Sequence, residues 1–291
     1  MSAIEPIDIH RVTWSGMTDV GRFRKNNEDA FLALAVDADG VYHLGKEGHA
    51  SLECSDYIFA VSDGMGGANA GEFASKIAVQ MILDLIVRKF RPSVPNFRRG
   101  SIDLLGELFD RIHAEMRSMG QHYSECAGMG ATLSLCWVTP QRTHFAHIGD
   151  SRIYYLPGEG SIRQITEDHS HVGWLLRSGQ ISEFEARNHP RRNELHQVLG
   201  GKAKTIEPQF GNVIPQANDM LVLCSDGISD AISNRTIENM LHTPPNRVAG
   251  RTMSGRLVQE AKEESGRDNL TALVVQIDAL NAPAAEGDVH N

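Results

Sequence analysis

The chain has 291 residues, 41% hydrophobic and 22% charged, the make-up of an ordinary globular protein long enough to bury a full core. A net charge of −9 disfavours a nucleic-acid backbone or an anionic membrane surface as partner. Cys54, Cys126, Cys136 and Cys224 are scattered without a CxxC pair, and the start carries no basic segment followed by an apolar one, so a reducing cytoplasm is the expected setting.

Strands are expected at about 10–16 and 30–36, and Asp39-Gly40 marks a hairpin turn after the second. Residues 45–55 are polar and Gly-bearing and read as a surface loop before a strand at 56–62. From 71 to 90 the residues Phe73, Ala74, Ile77, Ala78, Met81, Ile82, Leu85 and Ile86 recur every three or four positions, as on an amphipathic helix. Its strongest apolar stretch, 77–87, is interrupted by Gln80 and Asp84 and is too short to span a bilayer. The run Arg91-Pro92-Ser93-Val94-Pro95 breaks this helix, and a second follows at about 101–119 on the stripe Leu105, Leu108, Phe109, Ile112, Met116, Met119.

The pattern then changes to a period of two, with Ala131, Leu133, Leu135 and Trp137 alternating with Thr132, Ser134 and Cys136. Strands continue at 144–148 and 152–156 around Gly149-Asp150. Residues 166–200, with Trp174-Leu175-Leu176, Ile181, Phe184 and Leu195 among His, Arg and Glu, read as a helical excursion from the sheet. Strands return at 205–213 and 219–225, helices at about 234–242 and 248–264, and a last strand at 269–277. The small, polar segment 281–291 is expected to be a disordered tail, which leaves one domain over 1–280. With few strict βαβ alternations, this order favours layered α+β packing.

One phrase occurs twice: Phe59-Ala60-Val61-Ser62-Asp63-Gly64 and Leu221-Val222-Leu223-Cys224-Ser225-Asp226-Gly227 both read as an apolar strand ending in Ser-Asp-Gly. The two Asp residues are 163 positions apart and could converge only through the fold. Asp150 in a turn, Asp268 at the start of the last strand and Glu28-Asp29 in a polar loop complete a set of acidic sites at comparable places. A single Asp-Gly is usually only a turn. The ordered set instead points to oxygen ligands for Mg²⁺ or Mn²⁺, with Gly after the strand-end Asp freeing a main-chain carbonyl as a further ligand. Two such ions about 3.5–4 Å apart would activate water for in-line attack on phosphorus.

The matching segments Thr18-Asp19-Val20-Gly21, Arg24-Lys25-Asn26-Asn27-Glu28-Asp29-Ala30, Ser62-Asp63-Gly64-Met65-Gly66-Gly67, Ala70-Gly71-Glu72 and Met129-Gly130-Ala131-Thr132-Leu133 appear in order. They are followed by His147-Ile148-Gly149-Asp150-Ser151-Arg152, Ile165-Thr166-Glu167-Asp168-His169-Ser170, Ser225-Asp226-Gly227-Ile228-Ser229-Asp230 and Gly266-Arg267-Asp268-Asn269-Leu270-Thr271. Over about 12–277 the chain resembles the bacterial PPM family, the metal-dependent serine/threonine protein phosphatases of type 2C. The resemblance implies a four-layer α-β-β-α sandwich, two antiparallel sheets flanked by helix pairs, with 166–200 as a flap beside a metal cleft. It implies that Asp63 bridges two ions, that the Gly64 carbonyl binds the second, and that Asp226 and Asp268 bind the first. Glu28 and Asp29 match residues holding metal-bound waters, Asp150 a ligand of a weaker third ion with Asp230 assisting, and Arg24 the residue gripping the substrate phosphate. The implied reaction is direct attack of a metal-bound hydroxide on phosphoserine or phosphothreonine, using Mn²⁺ or Mg²⁺. The implied partners are phosphoprotein substrates and a cognate serine/threonine kinase, with the enzyme a monomer.

One position departs from the pattern. Bacterial relatives often carry His five residues after the bridging Asp, where this chain has Ala68. An imidazole there could act as general acid, a contribution of roughly 10²–10⁴-fold. Its absence leaves water or His169 as proton donor, with a structural hydrogen-bonding role as the other reading of His169. Two further functions stay open at this point: a weakly active regulatory module that binds phosphoproteins, and a phosphomonoesterase of small molecules.

Overall fold

The structure is a computed structural model and describes residues 9–53, 55–66, 70–89 and 102–279. Cys54, Ala68, the break at 91–95 and the expected tail 281–291 lie outside these residues. Two antiparallel sheets form the centre. One has the order Arg163–Gln164, Arg152–Leu156, Met220–Cys224, Leu270–Ala279, Ile9–Asp19, Glu47–Ser51. The other has the order Leu199–Gly200, Gly130–Ala131, Asp56–Met65, Leu133–Val138, Thr143–Ile148, Gln209–Val213, with Asp29–Val36 and Val41–His43 branching from Asp56–Met65.

The central strands are buried on both faces, which is why they read as apolar runs. In Asp56–Met65, Ile58 and Ala60 point to a core shared with the helices Ala70–Lys89 and Ile102–His122. Tyr57, Phe59 and Val61 point the other way, into the core between the sheets. Their partners there include Leu223, Val275 and Trp14, whose indole lies 6.0 Å from the Phe59 ring. Along Met220–Cys224 and Leu270–Ala279, Val222 and Val274 face a third core, under the helices Asp226–Ala231, Asn234–His242 and Met253–Glu264. Three cores between four layers make the expected α-β-β-α sandwich.

Two expectations are corrected. Residues 47–51 are a strand, not a loop: Glu47–Ser51 pairs with the first strand from Arg11↔Ser51 to Ser15↔Glu47 and forms the sheet edge. Gly48 makes room for Trp14, since a Cβ there would lie 2.6 Å from the indole. The helix expected at 248–264 is two: a turn at Asn246–Ala249, then Met253–Glu264 capped by Thr252, whose hydroxyl accepts from the Gly255 N–H. The 166–200 excursion holds short helices as anticipated, His171–Arg177 and Glu183–Arg187, each capped by a Ser side chain. No helix among the described residues is long and apolar enough to cross a membrane.

Phe59 is fully buried at the centre of the inter-sheet core. Phe59→Ala is expected to lower unfolding stability by about 3–5 kcal/mol, read by urea denaturation. A loss under about 1 kcal/mol would contradict this packing.

Candidate metal centre

The site begins with a pairing that sheets normally avoid. The register of Asp29–Val36 against Asp56–Met65 sets Asp29 directly opposite Asp63, so two carboxylates share one cross-strand position. Asp29 is buried; its Oδ2 accepts from Ser225 Oγ at 2.7 Å and its Oδ1 has no hydrogen-bond partner. Ser225 Oγ in turn accepts the Thr271 N–H at 3.1 Å, which ties Asp29 in one sheet to the chain ends of the other.

The two Ser-Asp-Gly copies therefore differ in structure. The first lies inside a strand: Ser62 Oγ donates to the Thr132 carbonyl at 2.6 Å and the Asp63 N–H donates to Thr132 Oγ1 at 2.9 Å. The second leaves its strand at Cys224, and Asp226 opens the helix Asp226–Ala231. Only the first Asp sits within a ladder. Gly64 is required sterically, because a Cβ would fall 1.8 Å from the Gly71 carbonyl oxygen. Its N–H donates to the Glu28 carbonyl at 3.0 Å.

These buried acids act on one another. Burial, followed by repulsion from Asp29, Asp226, Asp150 and Asp268, holds the Asp63 carboxyl well above its usual range. Asp226 is likewise pushed well up, by burial and then by Asp150, Asp230, Asp268 and Asp29. Burial raises Asp29 to about 6. It raises Asp150, flanked by Asp168 and Asp230, to about 7. Burial also raises Glu28, against the pull of Arg24. Asp63, Asp150 and Asp226 still keep partial solvent access, as cleft residues do.

The side chains stop short of a closed cage. Among the described residues, no three His, Cys, Asp or Glu side chains gather into a metal-holding group. Asp268 is instead engaged by Arg24, whose Nη2 donates to Oδ2 at 2.7 Å. The donor set is nonetheless all oxygen, crowded and charge-deficient, with an orphaned buried Asp29 oxygen, and fits a hard divalent cation better than zinc.

Beside these acids, a cavity of about 70 Å³ is lined by Asp150, Asp226 and Asp230 and roofed by the 166–200 excursion through Leu176 and Arg192. Arg192 Nε stands 3.6 Å from Asp230 Oδ2. Arg152 closes one wall with a fork onto Asp168, Nε to Oδ1 at 3.0 Å and Nη2 to Oδ2 at 2.7 Å. His169 is the structural hydrogen-bonder: its Nδ1 accepts the Gly149 N–H at 3.2 Å while its main-chain N–H donates to the Gly149 carbonyl at 2.7 Å. Burial lowers its pKa to about 4, helped by His196 and Arg177, so the ring is neutral at pH 7 and steadies the turn bearing Asp150. Ser225, Thr132 and Asn269 were not singled out from the sequence. Each lies in a motif segment, but a Ser, Thr or Asn carries no sign of its partner until the strands are placed.

The comparisons agree with this geometry. The sequence model described as protein phosphatase 2C matches residues 47–273. The serine/threonine phosphatase stp of Listeria monocytogenes is 33% identical over 266 residues, 90% of this chain and 94% of the relative. The Streptococcus agalactiae serine/threonine phosphatase superposes with a TM-score of 0.74 at 27% identity, covering 92% of this chain and 100% of that one. The catalytic domain of the phosphatase PstP, solved with two manganese ions, gives 0.71 at 28% identity over 92% and 99%. They support an enzyme, and neither the regulatory module nor the small-molecule esterase gains support.

Burial raises Asp29 to about 6 and Asp150 to about 7 and pushes Asp63 and Asp226 upward as well, so cation binding must compete with protons at low pH. Mn²⁺ added to EDTA-stripped protein is expected to raise Tm by about 5 °C or more at pH 7.5 and by clearly less at pH 5.5. Equal shifts at both pH values would refute this arrangement. The family match, the sheet topology and the convergent acids lead to one conclusion: the chain belongs to the protein phosphatase 2C family, the serine/threonine protein phosphatases.

Proposed function

We propose that this phosphatase hydrolyses phosphoserine and phosphothreonine in proteins phosphorylated by a serine/threonine kinase, using two Mn²⁺ or Mg²⁺ ions and a weaker third. The observation that carries the reading is the opposed pair Asp29 and Asp63, with Arg24 ion-paired to Asp268. In this reading Asp63, the Gly64 carbonyl, Asp226 and Asp268 would hold the two core ions. Asp150, with Asp230 assisting, would hold a weaker third. Bound cations would supply Lewis acidity, acidifying water for in-line attack and offsetting phosphate charge.

The chain's own residues do the rest. A crowd of carboxylates repels a phosphate dianion, so the anion can enter only where that field is reversed. Arg24 provides the local reversal in the protein itself. Its guanidinium is half-exposed, and a planar fork suits two phosphate oxygens, so it exchanges Asp268 for the substrate. Glu28 and Asp29 orient water in the cleft by accepting hydrogen bonds. The Arg152–Asp168 pair and His169 brace the Asp150 turn and the base of the flap.

We further place the protein in the cytoplasm as a monomer with one domain over 1–280. That setting suits the buried free thiols Cys126, Cys136 and Cys224, and the −9 charge argues against nucleic acid or membrane as partner.

Purified protein with Mn²⁺ is expected to dephosphorylate a phosphothreonine peptide at least tenfold faster, by kcat/KM, than a small phosphate ester. EDTA should abolish turnover, and Asp226→Ala should lower kcat/KM by at least about 10²-fold. Full activity in Asp226→Ala, or cation-independent hydrolysis, would sink the assignment.

A further inference from the structure

The segment between Val20 and Asp29 carries Arg24 and Glu28 but belongs to no strand or helix. Its shape is imposed from the far end of the chain. Asn269 is buried, and both its side-chain oxygen and its amide nitrogen are engaged. Oδ1 accepts the Glu28 N–H at 2.7 Å, while Nδ2 donates to the Val20 carbonyl at 3.0 Å and to the Asn26 carbonyl at 2.9 Å. All three partners are main-chain atoms, at sequence separations of 241, 249 and 243. They bracket Arg22, Phe23, Arg24 and Lys25, of which Phe23 is 72% exposed.

We propose that Asn269 is the positioning residue that sets the phosphate-gripping loop, a role that rests on the reading of Arg24 given above. Its neighbour Asp268 completes the device: Asp268 Oδ1 accepts the Asn269 N–H at 2.9 Å and Oδ2 accepts from Arg24. Two consecutive residues thus hold a proposed metal ligand and the loop that presents the arginine in one frame. Other bonds attach the loop: Arg22 N–H to the Gly266 carbonyl at 2.7 Å, and Asn27 Nδ2 to Thr18 Oγ1 at 2.8 Å. The Asn269 side chain binds both flanks of Arg24 at once. Its amide never has to touch substrate; it acts by fixing where the guanidinium starts from. A displacement of about 1 Å at such a group can cost up to 10²-fold in rate.

The test uses the full chain with saturating Mn²⁺ and a phosphothreonine peptide, comparing Asn269→Ala, Asn269→Asp, Arg24→Ala and the double variant Asn269→Ala/Arg24→Ala. Asn269→Asp keeps the acceptor for Glu28 and loses both donors, and serves if the Ala variant fails to fold by its thermal transition. Asn269→Ala is expected to raise KM about tenfold and to weaken inhibition by inorganic phosphate by a similar factor, with a smaller change in kcat. In the Arg24→Ala background the further rise in KM should be under about twofold, because the two residues act through one loop. Trypsin should cut the Asn269 variants first after Arg22, Arg24 or Lys25 while the rest of the fold resists. Additive KM effects, or KM and phosphate inhibition unchanged in both Asn269 variants, would overturn the proposal. If Arg24→Ala alone leaves KM and phosphate inhibition unchanged, the phosphate-gripping role of Arg24 fails. The tryptic cleavage then decides the positioning role: rapid cutting in the loop upholds it, and wild-type resistance overturns it.

Discussion

Two carboxylates held against each other across a ladder at the rim of a cleft are the constraint on which this molecule turns. Asp29 and Asp63 occupy opposite positions on paired strands, where like charge is destabilising, and Asp29 keeps one buried oxygen without a partner. A fold tolerates such a pair only if the surrounding structure over-determines it. Here the surroundings do: eight register pairs hold the two strands together, from Asp29↔Asp63 to Val36↔Asp56. The apolar faces of both strands are locked into two separate cores. Burial on both sides of the sheet makes slippage costly, because a one-residue shift would exchange every inward and outward side chain. The stability of the sandwich thus holds an electrostatically unfavourable site in place.

Convergence comes from the ends of strands that belong to different sheets. Asp226 and Asp268 stand at the margins of one sheet, Asp29 and Asp63 in the other, and Ser225 bridges them with a single side-chain bond. The 166–200 excursion then covers the acidic rim, closed at its base by the Ser170↔Leu195 bridge and by the pairing of Leu199–Gly200 with Gly130–Ala131. His169 and Arg152 connect this cover to the turn that carries Asp150. The flap and the acidic rim are therefore mechanically joined rather than merely adjacent.

Much of this was readable in the chain. Apolar runs bounded by Gly and acidic residues marked the central strands, helical stripes marked both long helices of one face, and ordered acidic motifs marked the candidate site. The misreadings have a common cause. Glu47–Ser51 looked like a loop because its side chains alternate between exposed and half-buried, and its strand character comes from backbone pairing with Arg11–Ser15. Asp226 looked like a strand end equivalent to Asp63, yet it begins a helix, since its local sequence does not report where the ladder stops. Asn269 looked like a neighbour of Asp268, because nothing near it in sequence shows that its three partners lie more than 240 positions away.

The sequence by itself determined which residues can do the chemistry: short acidic side chains beside glycines, an arginine in a polar loop, and apolar strands strong enough to hold them rigid. Composition and order carry that information because side-chain chemistry and strand propensity are local properties. Only the tertiary structure decided how those residues face one another. The opposition of Asp29 to Asp63, the Ser225 bond between sheets, the engagement of Asp268 by Arg24 and the Asn269 clamp are contacts across 34 to 249 positions. Such contacts exist only when chain ends distant in sequence are brought within hydrogen-bonding distance, and hydrogen bonds and charge repulsion act over ångströms, not along the sequence.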